Sequence, residues 1–363
     1  MPPAEKRARD ESPPPTFLIV GGVYVDEVHT VPHYPAEDST MRALSVERRR
    51  GGNAANTAVV LRQLAPEDAK IRWMGLVPGS GDDGGGTFAL AELEKSGVDT
   101  SLREISETPS GMPTANIILN QATGSRTIIS SRRGLGELSY EWFRKKLPEV
   151  KNNSNRGWVH LECREYESVV GMAVCNASRC TTPKRFPCPF GENWRLEQEW
   201  RLSIEIEKPL IEIEAVLQLA EYADLVFLSS DWARKHAAEL GCDSNKDEKM
   251  AVQVLKEVVN RLDGRGPPAA FICAWGAEGA YAIYRKNRHP NPEGPRPWTW
   301  FVAFQPAIIV KVVDTTGAGD TFNAAVIASL AAGNGVETAL KSGCAVAGKK
   351  VGQLGLHVCA CSL

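Results

Sequence analysis

Short apolar runs alternate along the chain with longer stretches in which apolar residues recur at helical spacing. The runs Phe17 to Val23 and Ile71 to Val77 are short and mostly apolar, which is typical of strands buried in a parallel sheet. Between them, a helix that opens at Asn53 has alanine, valine and leucine on one side as far as Leu64. This alternation predicts an α/β fold in which helices flank a mostly parallel sheet. Further strands are predicted at 158–162, 202–207, 223–228, 269–276, 279–283 and 307–313, and further helices at 87–96, from 209, at 320–333 and at 336–350.

A smaller sheet is predicted from two other regions. Asn116 to Leu119 and Arg126 to Ser130 are strand-like and enclose a short turn that contains Gly124, which indicates a β-hairpin. A further strand is expected between Arg42 and Arg50. The predicted lid strands therefore lie within about 26–50 and 114–131.

The pattern fails between Gly171 and Trp200, where cysteines and prolines crowd a stretch without helical or strand periodicity. The cysteines there lack the spacing of a zinc site. We predict a poorly ordered insertion at 171–200 within a single domain that spans residues 16–355. Residues 1–15 are predicted to be a disordered tail, and residues 356–363 form a second tail.

Composition and charge exclude several classes of partner. The formal net charge of −2 is close to neutral, so it does not favour nucleic acid or an anionic membrane surface. No apolar run reaches transmembrane length, and the first fifteen residues lack the apolar core of a signal peptide. The nine cysteines are therefore expected to be reduced thiols, and the protein is predicted to be cytoplasmic.

The candidate chemistry is concentrated where the predicted strand 307–313 leads into the helix at Asp320. Gly317 and Gly319 have no side chains, so their backbone N–H groups and that of Ala318 can approach an anion at the start of a helix. Asp320 would repel that anion, which suggests that it accepts a proton from an attacking hydroxyl. An aspartate that caps a helix is the alternative, and these residues alone leave both interpretations open.

Two separated segments carry a family resemblance. Asp314 to Ala325 resembles the second signature of the ribokinase-like (PfkB) sugar kinases, and Arg50 to Asn56 resembles the first. The resemblance implies a ribokinase-like fold with a small β-sheet lid, and ATP-dependent phosphorylation of a sugar hydroxyl. Flanking segments resemble the branch of the family that phosphorylates D-fructose at its 1-hydroxyl. These segments are 34–39, 204–209, 273–275 and 346–350.

The resemblance also implies the roles of individual residues. Asp320 is expected to be the catalytic base, and the amides of Gly317, Ala318 and Gly319 are expected to stabilise charge on the phosphoryl oxygens. The residues expected to contact the sugar are Asp26, Asp38, Gly52, Asn53, Asn56, Arg126 and Glu162. Those expected around the nucleotide are Arg126, Trp275, Gly276, Gly279, Gly317, Gly319, Cys344 and Ala347.

Two cations and a dimer are implied in the same way. Mg²⁺ is expected to bridge the phosphates of ATP, but the chain lacks the Asn-x-x-Glu motif of many relatives, so Asp231 is the substitute predicted to act through water. A K⁺ site is expected at Asp314, Thr316 and nearby carbonyls of residues 347–352. Lys349 and Lys350 are expected only to offset the dipole of the last helix. The family likeness further implies a homodimer formed through the β-lid.

Two alternatives to a fructose kinase stay open. Another small-molecule kinase of the same fold, acting on ribose or a nucleoside, would share the glycine–aspartate centre. A catalytically impaired binding or regulatory protein would follow if the 171–200 segment displaced a strand, because a shift of about 1 Å can weaken catalysis steeply.

Overall fold

A computed structural model describes residues 14–152, 154, 156–178, 200–243, 249–262, 265, 268–287 and 298–358. The predicted tail at 1–15 therefore lies outside the described residues except for its last two positions.

Within the described chain, the strands are β1 Thr16–Val20, β2 Tyr24–Val31, β3 Ser45–Gly51, β4 Lys70–Met74, β5 Leu76–Val77, β6 Glu104–Ile105, β7 Thr114–Asn120, β8 Arg126–Ser131, β9 Gly157–Glu162, β10 Trp200–Ile206, β11 Leu225–Ser229, β12 Ala270–Ala274, β13 Gly279–Asn287 and β14 Trp298–Pro306. The helices are α1 Asn53–Leu64, α2 Gly85–Lys95, α3 Tyr140–Asn152, α4 Tyr166–Ser178, α5 Ile213–Ala220, α6 Ser230–His236, α7 Met250–Asn260, α8 Ala318–Ala331 and α9 Val336–Val351.

An eight-stranded sheet forms the centre of the molecule, in the order β14-β13-β12-β11-β10-β9-β1-β4. The six strands from β12 to β4 are parallel, and β13 and β14 add an antiparallel edge. The carboxyl ends of the parallel strands consequently open at one edge of the sheet, where ligands bind in folds of this kind.

Alternate residues of each central strand enter cores on opposite faces of the sheet. In β1, Phe17 and Ile19 pack with helices α1, α2, α8 and α9, whereas Leu18 and Val20 pack with α3 to α7. This two-sided burial explains why the strands read as continuous apolar runs. The predicted α/β fold, in which helices flank a mostly parallel sheet, is confirmed.

A second sheet of four strands, in the order β3-β2-β7-β8, covers the open edge of the large sheet. The hairpin predicted around Gly124 is formed by β7 and β8, which pair in antiparallel fashion. This second sheet is called the lid below. Its small core is Val28, Ala115, Ile117 and Leu119.

Three predictions about secondary structure need correction. Residues 307–313 are not a buried strand, because this segment is irregular and fully exposes Ile309. The helix expected from residue 209 begins only at Ile213. The insertion predicted at Gly171 begins too early, because residues 171–178 complete helix α4, with Met172 and Ala173 buried in the core. Residues 179–199 lie outside the described part of the chain.

Candidate active site

A cavity of about 830 Å³ lies between the carboxyl edge of the large sheet and the lid. Its volume falls within the usual range for small-molecule sites. The lid contributes residues of β2, β7 and β8, and the large sheet contributes the ends of β10, β11 and β12. The starts of α1 and α8 and one face of α9 complete the lining. Residues predicted at the site and found in this lining are Asp26, Gly52, Asn53, Asn56, Arg126, Gly276, Gly279, Thr316, Gly317, Ala318, Gly319, Asp320, Cys344 and Ala347.

The start of helix α8 is shaped by Gly317, which precedes the helix with φ 75° and ψ 10°. This left-handed conformation favours glycine and turns the chain so that the first helical turn faces the cavity. The Ala318 N–H points to the Thr315 carbonyl oxygen at 3.3 Å, and the Thr321 hydroxyl donates to the Gly317 carbonyl oxygen at 2.8 Å. The loop is thus held by its own hydrogen bonds.

Asp320 lies in the first turn of α8, facing the cavity with only 6% of its surface exposed. Its Oδ2 accepts a hydrogen bond from Asn56 Nδ2 at 2.7 Å. Burial, followed by repulsion from the Glu205 carboxylate, raises the pKa of Asp320 well above its usual value, and the Asn56 bond opposes that rise. This hydrogen bond therefore connects the two segments that carry the family resemblance, one of which contains Asn56 and the other Asp320.

Asp26 lies on β2 and lines the same cavity. Burial raises the pKa of Asp26 to about 6, while the nearby guanidinium groups of Arg50 and Arg49 oppose the shift. Two glycines make room for this arrangement. A Cβ atom at Gly51 would lie 2.1 Å from Asp26 Oδ2, and one at Gly52, whose φ is 97°, would lie 2.5 Å from the Gly22 carbonyl oxygen.

Glu162, predicted to bind the sugar, instead supports the backbone beneath the cavity. Its Oε2 accepts from the N–H groups of Gly22 at 2.9 Å and Ala54 at 3.4 Å, and its Oε1 accepts from Arg164 at 2.6 Å. The side chain is 2% exposed and lies outside the cavity lining. Arg164, which it holds, lines the cavity and donates to the Tyr24 hydroxyl at 2.6 Å.

Asp38, Asp231 and Trp275 also lie outside the cavity lining. Asp38 lies in an exposed turn with φ 58°, outside the lining. Asp231 is on the first turn of α6, but its side chain is 76% exposed and pairs with Arg234. Trp275 stacks beneath the Arg234 guanidinium, 4.5 Å from the ring centre, instead of facing a nucleotide.

The far half of the cavity is formed by backbone and small side chains. Gly276 and Gly279 flank the turn after β12, and Cys344 and Ala347 line one face of α9. The irregular segment 307–312 covers this half, where Ile308 fits so closely to α9 that a Cβ at Gly348 would lie 2.1 Å from it. Glycine at this position therefore permits the contact.

Arg126 connects the lid to the loop before α8. It lies on β8, lines the cavity, and donates from a guanidinium nitrogen to the Thr315 hydroxyl. Because Arg126 lies on the lid and Thr315 on the loop before α8, this contact closes one side of the cavity.

Asp314, at the start of the same loop, is almost completely buried beneath the cavity. Its Oδ1 accepts from the Thr316 N–H at 2.8 Å. Its Oδ2 lies 3.3 Å from Lys350 Nζ and 3.4 Å from a guanidinium nitrogen of Arg49. Lys350 is fully buried, so the expectation that it only offsets the helix dipole is wrong, whereas Lys349 is exposed.

Sequence reasoning missed Glu205 and Asn323. Glu205 is the penultimate residue of β10 and lines the cavity, and its Oε1 accepts from Asn323 Nδ2 at 2.9 Å. Burial, followed by the carboxylates of Glu162 and Glu207, raises the pKa of Glu205. A glutamate between two isoleucines of a predicted strand was the available signal, because carboxylates are rarely buried unless they are paired.

Comparisons with known proteins identify similar chains. The family profile described as "pfkB family carbohydrate kinase" matches residues 18–160 and 205–361. Ketohexokinase of Mus musculus is 37% identical over 342 residues, covering 93% of this chain and 97% of the mouse protein. Among solved structures, ribokinase of Giardia lamblia aligns with a TM-score of 0.67 at 16% identity, covering 94% of each chain. Ribokinase of Cryptococcus neoformans, solved with ADP, aligns with a TM-score of 0.63 at 17% identity, covering 94% of this chain and 95% of that one.

Proposed function

The chain belongs to the pfkB family of carbohydrate kinases, and from this premise we propose that it phosphorylates D-fructose at the 1-hydroxyl. As a member of the family it is an ATP-dependent phosphotransferase that acts on a sugar alcohol group. The choice of fructose is supported by the identity with a ketohexokinase. The observation that carries the proposed mechanism is the buried Asp320, which shares one cavity with Asp26 and Asn53.

In the proposed reaction, Asp320 accepts the proton of the sugar hydroxyl as that oxygen attacks the γ-phosphorus of ATP. A new O–P bond forms, and the bond between the γ-phosphorus and the β-γ bridging oxygen breaks, which leaves ADP and the sugar phosphate. The raised pKa of Asp320 suits a general base that works near neutral pH. Amides of Gly317 and Gly319 at the start of α8 would stabilise charge on the transferred group. The Ala318 amide would first have to leave the Thr315 carbonyl.

Sugar recognition is proposed for the polar residues around Asp320. Asp26, Asn53 and Asn56 line the cavity and offer both donors and acceptors, which matches hydroxyl groups that donate and accept. Gly52 would let the sugar approach the backbone. Arg126 is proposed to approach the transferred phosphate, because it already reaches Thr315 across the loop.

The half of the cavity bounded by Gly276, Gly279, Cys344 and Ala347 is proposed to hold the nucleotide, since small side chains leave space for a flat base. The carboxylates at the end of β10 fit Mg²⁺. Glu205 Oε2 is buried, lies 3.8 Å from His160 Nε2 and has no hydrogen-bond partner within the described chain, and carboxylate and phosphate oxygens are the ligands that Mg²⁺ prefers. Mg²⁺ bound with ATP would neutralise phosphate charge, and Glu205 is the residue proposed to hold it in place of Asp231.

A homodimer formed through the lid is part of the proposal. On β8, Arg126 and Ile128 line the cavity, whereas Ile129 points away and is 61% exposed. Val46 on β3 is 59% exposed, so the lid carries apolar surface outside the cavity. Light scattering after size-exclusion chromatography tests this point, and a monomer at micromolar concentration would refute it.

A cytoplasmic location is also proposed. No described helix is long and apolar enough to cross a membrane. Cys163, Cys175, Cys273 and Cys344 are free thiols, which fits a reducing compartment.

The substrate is tested by measuring ADP release with D-fructose, D-ribose and adenosine in parallel. Fructose is expected to give the highest kcat/KM, and phosphorus NMR of the product is expected to locate the phosphate at C1. A higher kcat/KM for ribose or adenosine would contradict fructose as the substrate but would still agree with kinase activity. Absence of phosphoryl transfer to any of the three would favour an impaired homologue.

A further inference from the structure

The buried amino group of Lys350 lies where the family resemblance predicts a potassium ion. Lys350 Nζ donates to the Asp314 carbonyl oxygen at 2.7 Å and lies 3.3 Å from Asp314 Oδ2. The side chain is completely buried near the end of α9. Carbonyl and carboxylate oxygens are also the ligands that a monovalent cation would use.

The residues predicted to bind K⁺ do not fit that ion in this chain. Asp314 Oδ1 accepts from the Thr316 N–H, and Oδ2 faces Lys350 and Arg49 and accepts from the Gly355 N–H at 3.4 Å. A K⁺ ion at this position would meet an ammonium group and a guanidinium group at short range, and the repulsion would oppose its binding.

We propose that Lys350 replaces K⁺ as a cation tethered to the protein, and that it positions the loop that precedes α8. This inference rests on the proposed kinase mechanism, because that loop is the proposed phosphoryl-binding element. The ammonium group holds the carbonyl and the carboxylate of Asp314, and Asp314 in turn fixes the Thr316 N–H one residue before Gly317. Lys350 touches no substrate, so it is a positioning residue.

The backbone supports the same connection. The N–H groups of Val313 and Asp314 donate to the Val351 carbonyl oxygen at 2.9 and 3.2 Å, so the loop is joined to the end of α9 beside Lys350. Burial lowers the pKa of Lys350, and the Asp314 carboxylate opposes that shift. Burial would raise the pKa of Asp314, but Lys350 and the Thr316 N–H outweigh it and keep that pKa low. The 3.3 Å separation between Lys350 Nζ and Asp314 Oδ2 is that of an ion pair.

The test compares Lys350→Met with wild type in buffers of equal ionic strength that contain either KCl or tetramethylammonium chloride, a cation too large for the site. Wild-type kcat and melting temperature are expected to be the same in both buffers. In tetramethylammonium, Lys350→Met is expected to lose on the order of 10²-fold in kcat with a smaller change in the KM for sugar, because the loop is misplaced. KCl or NH₄Cl is expected to restore much of this loss and to raise the melting temperature of the variant.

Lys349→Met is the matched control, since it removes a neighbouring exposed lysine of the same helix. It is expected to behave as wild type in every buffer. Lys350→Gln, which keeps a hydrogen-bond donor without charge, serves if Lys350→Met does not fold, and it is expected to show the same cation rescue.

Two outcomes would overturn the inference. One is a wild-type kcat or melting temperature that depends strongly on K⁺. The other is a folded Lys350 variant whose defect neither K⁺ nor NH₄⁺ relieves. The melting temperatures are measured without substrate, so this result is independent of the sugar assignment. If wild type phosphorylates no sugar, the proposed function fails while the cation test can still succeed.

Discussion

Asn56 Nδ2 donates to Asp320 Oδ2 at 2.7 Å, across 264 residues of sequence. The same amide accepts through Oδ1 from Arg50 at 2.8 Å. Arg50 is oriented by this bond and carries the positive charge that opposes protonation of Asp26. The two carboxyl groups proposed for the sugar site are thus connected through one amide and one guanidinium group. This connection makes the protonation of the proposed base dependent on its neighbours.

Asn56→Ala is expected to lower kcat/KM about tenfold or more, because a hydrogen bond to a charged group is lost. The acid limb of the kcat/KM profile is expected to move to higher pH, since the Asn56 amide favours the ionised form of Asp320. Steady-state kinetics between pH 5 and 9 measures both effects. Asn116→Ala, which removes an exposed amide on the lid, is the control and should leave the profile unchanged. An unshifted acid limb in Asn56→Ala would contradict the proposed link.

Asp320→Asn is expected to reduce kcat by about 10²- to 10⁴-fold with little change in the KM for ATP, because general-base catalysis is removed. Asp231→Asn is the comparison, since Asp231 is exposed and outside the cavity. We expect it to retain wild-type kcat and the same Mg²⁺ requirement. Near-normal turnover of Asp320→Asn with sugar bound would exclude Asp320 as the base.

Asp26 gives a prediction about stability and pH. Burial raises its pKa from 3.8 to about 6 on folding, so the folded state binds more protons than the unfolded state between these values. The stabilisation that this group contributes to the folded state is therefore complete below pH 4 and is lost as the pH rises through about 6. Asp26→Asn is expected to be more stable than wild type at pH 7.5, by roughly 1–3 kcal/mol, and to differ little at pH 4. Urea unfolding at the two pH values measures the difference, and an equal difference at both would contradict the assignment.

Local signals in the sequence were sufficient for the six parallel strands of the large sheet, because burial on both faces produces continuous apolar runs. They did not predict β14 or the helices α3, α4, α6 and α7. The same rule failed for residues 307–313, which are apolar for a different reason. Ile308 and Val310 line the cavity instead of entering the core. An apolar segment that covers a site therefore has the same sequence pattern as a buried strand.

The site was predictable where glycine and asparagine patterns fix the backbone, as at Asn53 and Gly317. It was not predictable where a side chain could leave a strand end in either direction. Glu162 and Glu205 both lie at the carboxyl ends of parallel strands, yet Glu162 binds backbone N–H groups while Glu205 faces the cavity. The buried position of Lys350 was not predicted, because a lysine in the last turn of a helix is usually exposed. Its partner, Asp314, lies on a loop that is distant in sequence.

Gly317, which precedes α8, and Gly319, in its first turn, allow the effect of backbone strain to be tested separately from that of ligand approach. Gly317 has φ 75°, and a Cβ there would lie 2.7 Å from the Leu356 side chain. Gly317→Ala is therefore expected to lower stability by about 1–3 kcal/mol as well as activity. Gly319 lies in the first turn of α8, and a Cβ there would have no atom within 4 Å. Gly319→Ala should keep or raise the melting temperature, because alanine is the better helix former.

Gly319→Ala is expected to lose activity although it keeps its stability. Its new methyl group would stand in the open cavity beside the amides proposed to meet the phosphoryl group, so kcat should fall about 10²-fold or more. Calorimetry and ADP-release kinetics on both variants test the pair. Gly84→Ala is the control for strain alone, because Gly84 has φ 85° with open space around it and lies outside the cavity. It should lose stability and keep its kcat. A fully active Gly319→Ala would mean that the phosphoryl group does not approach the start of α8, and the proposed anion site would have to move elsewhere in the cavity.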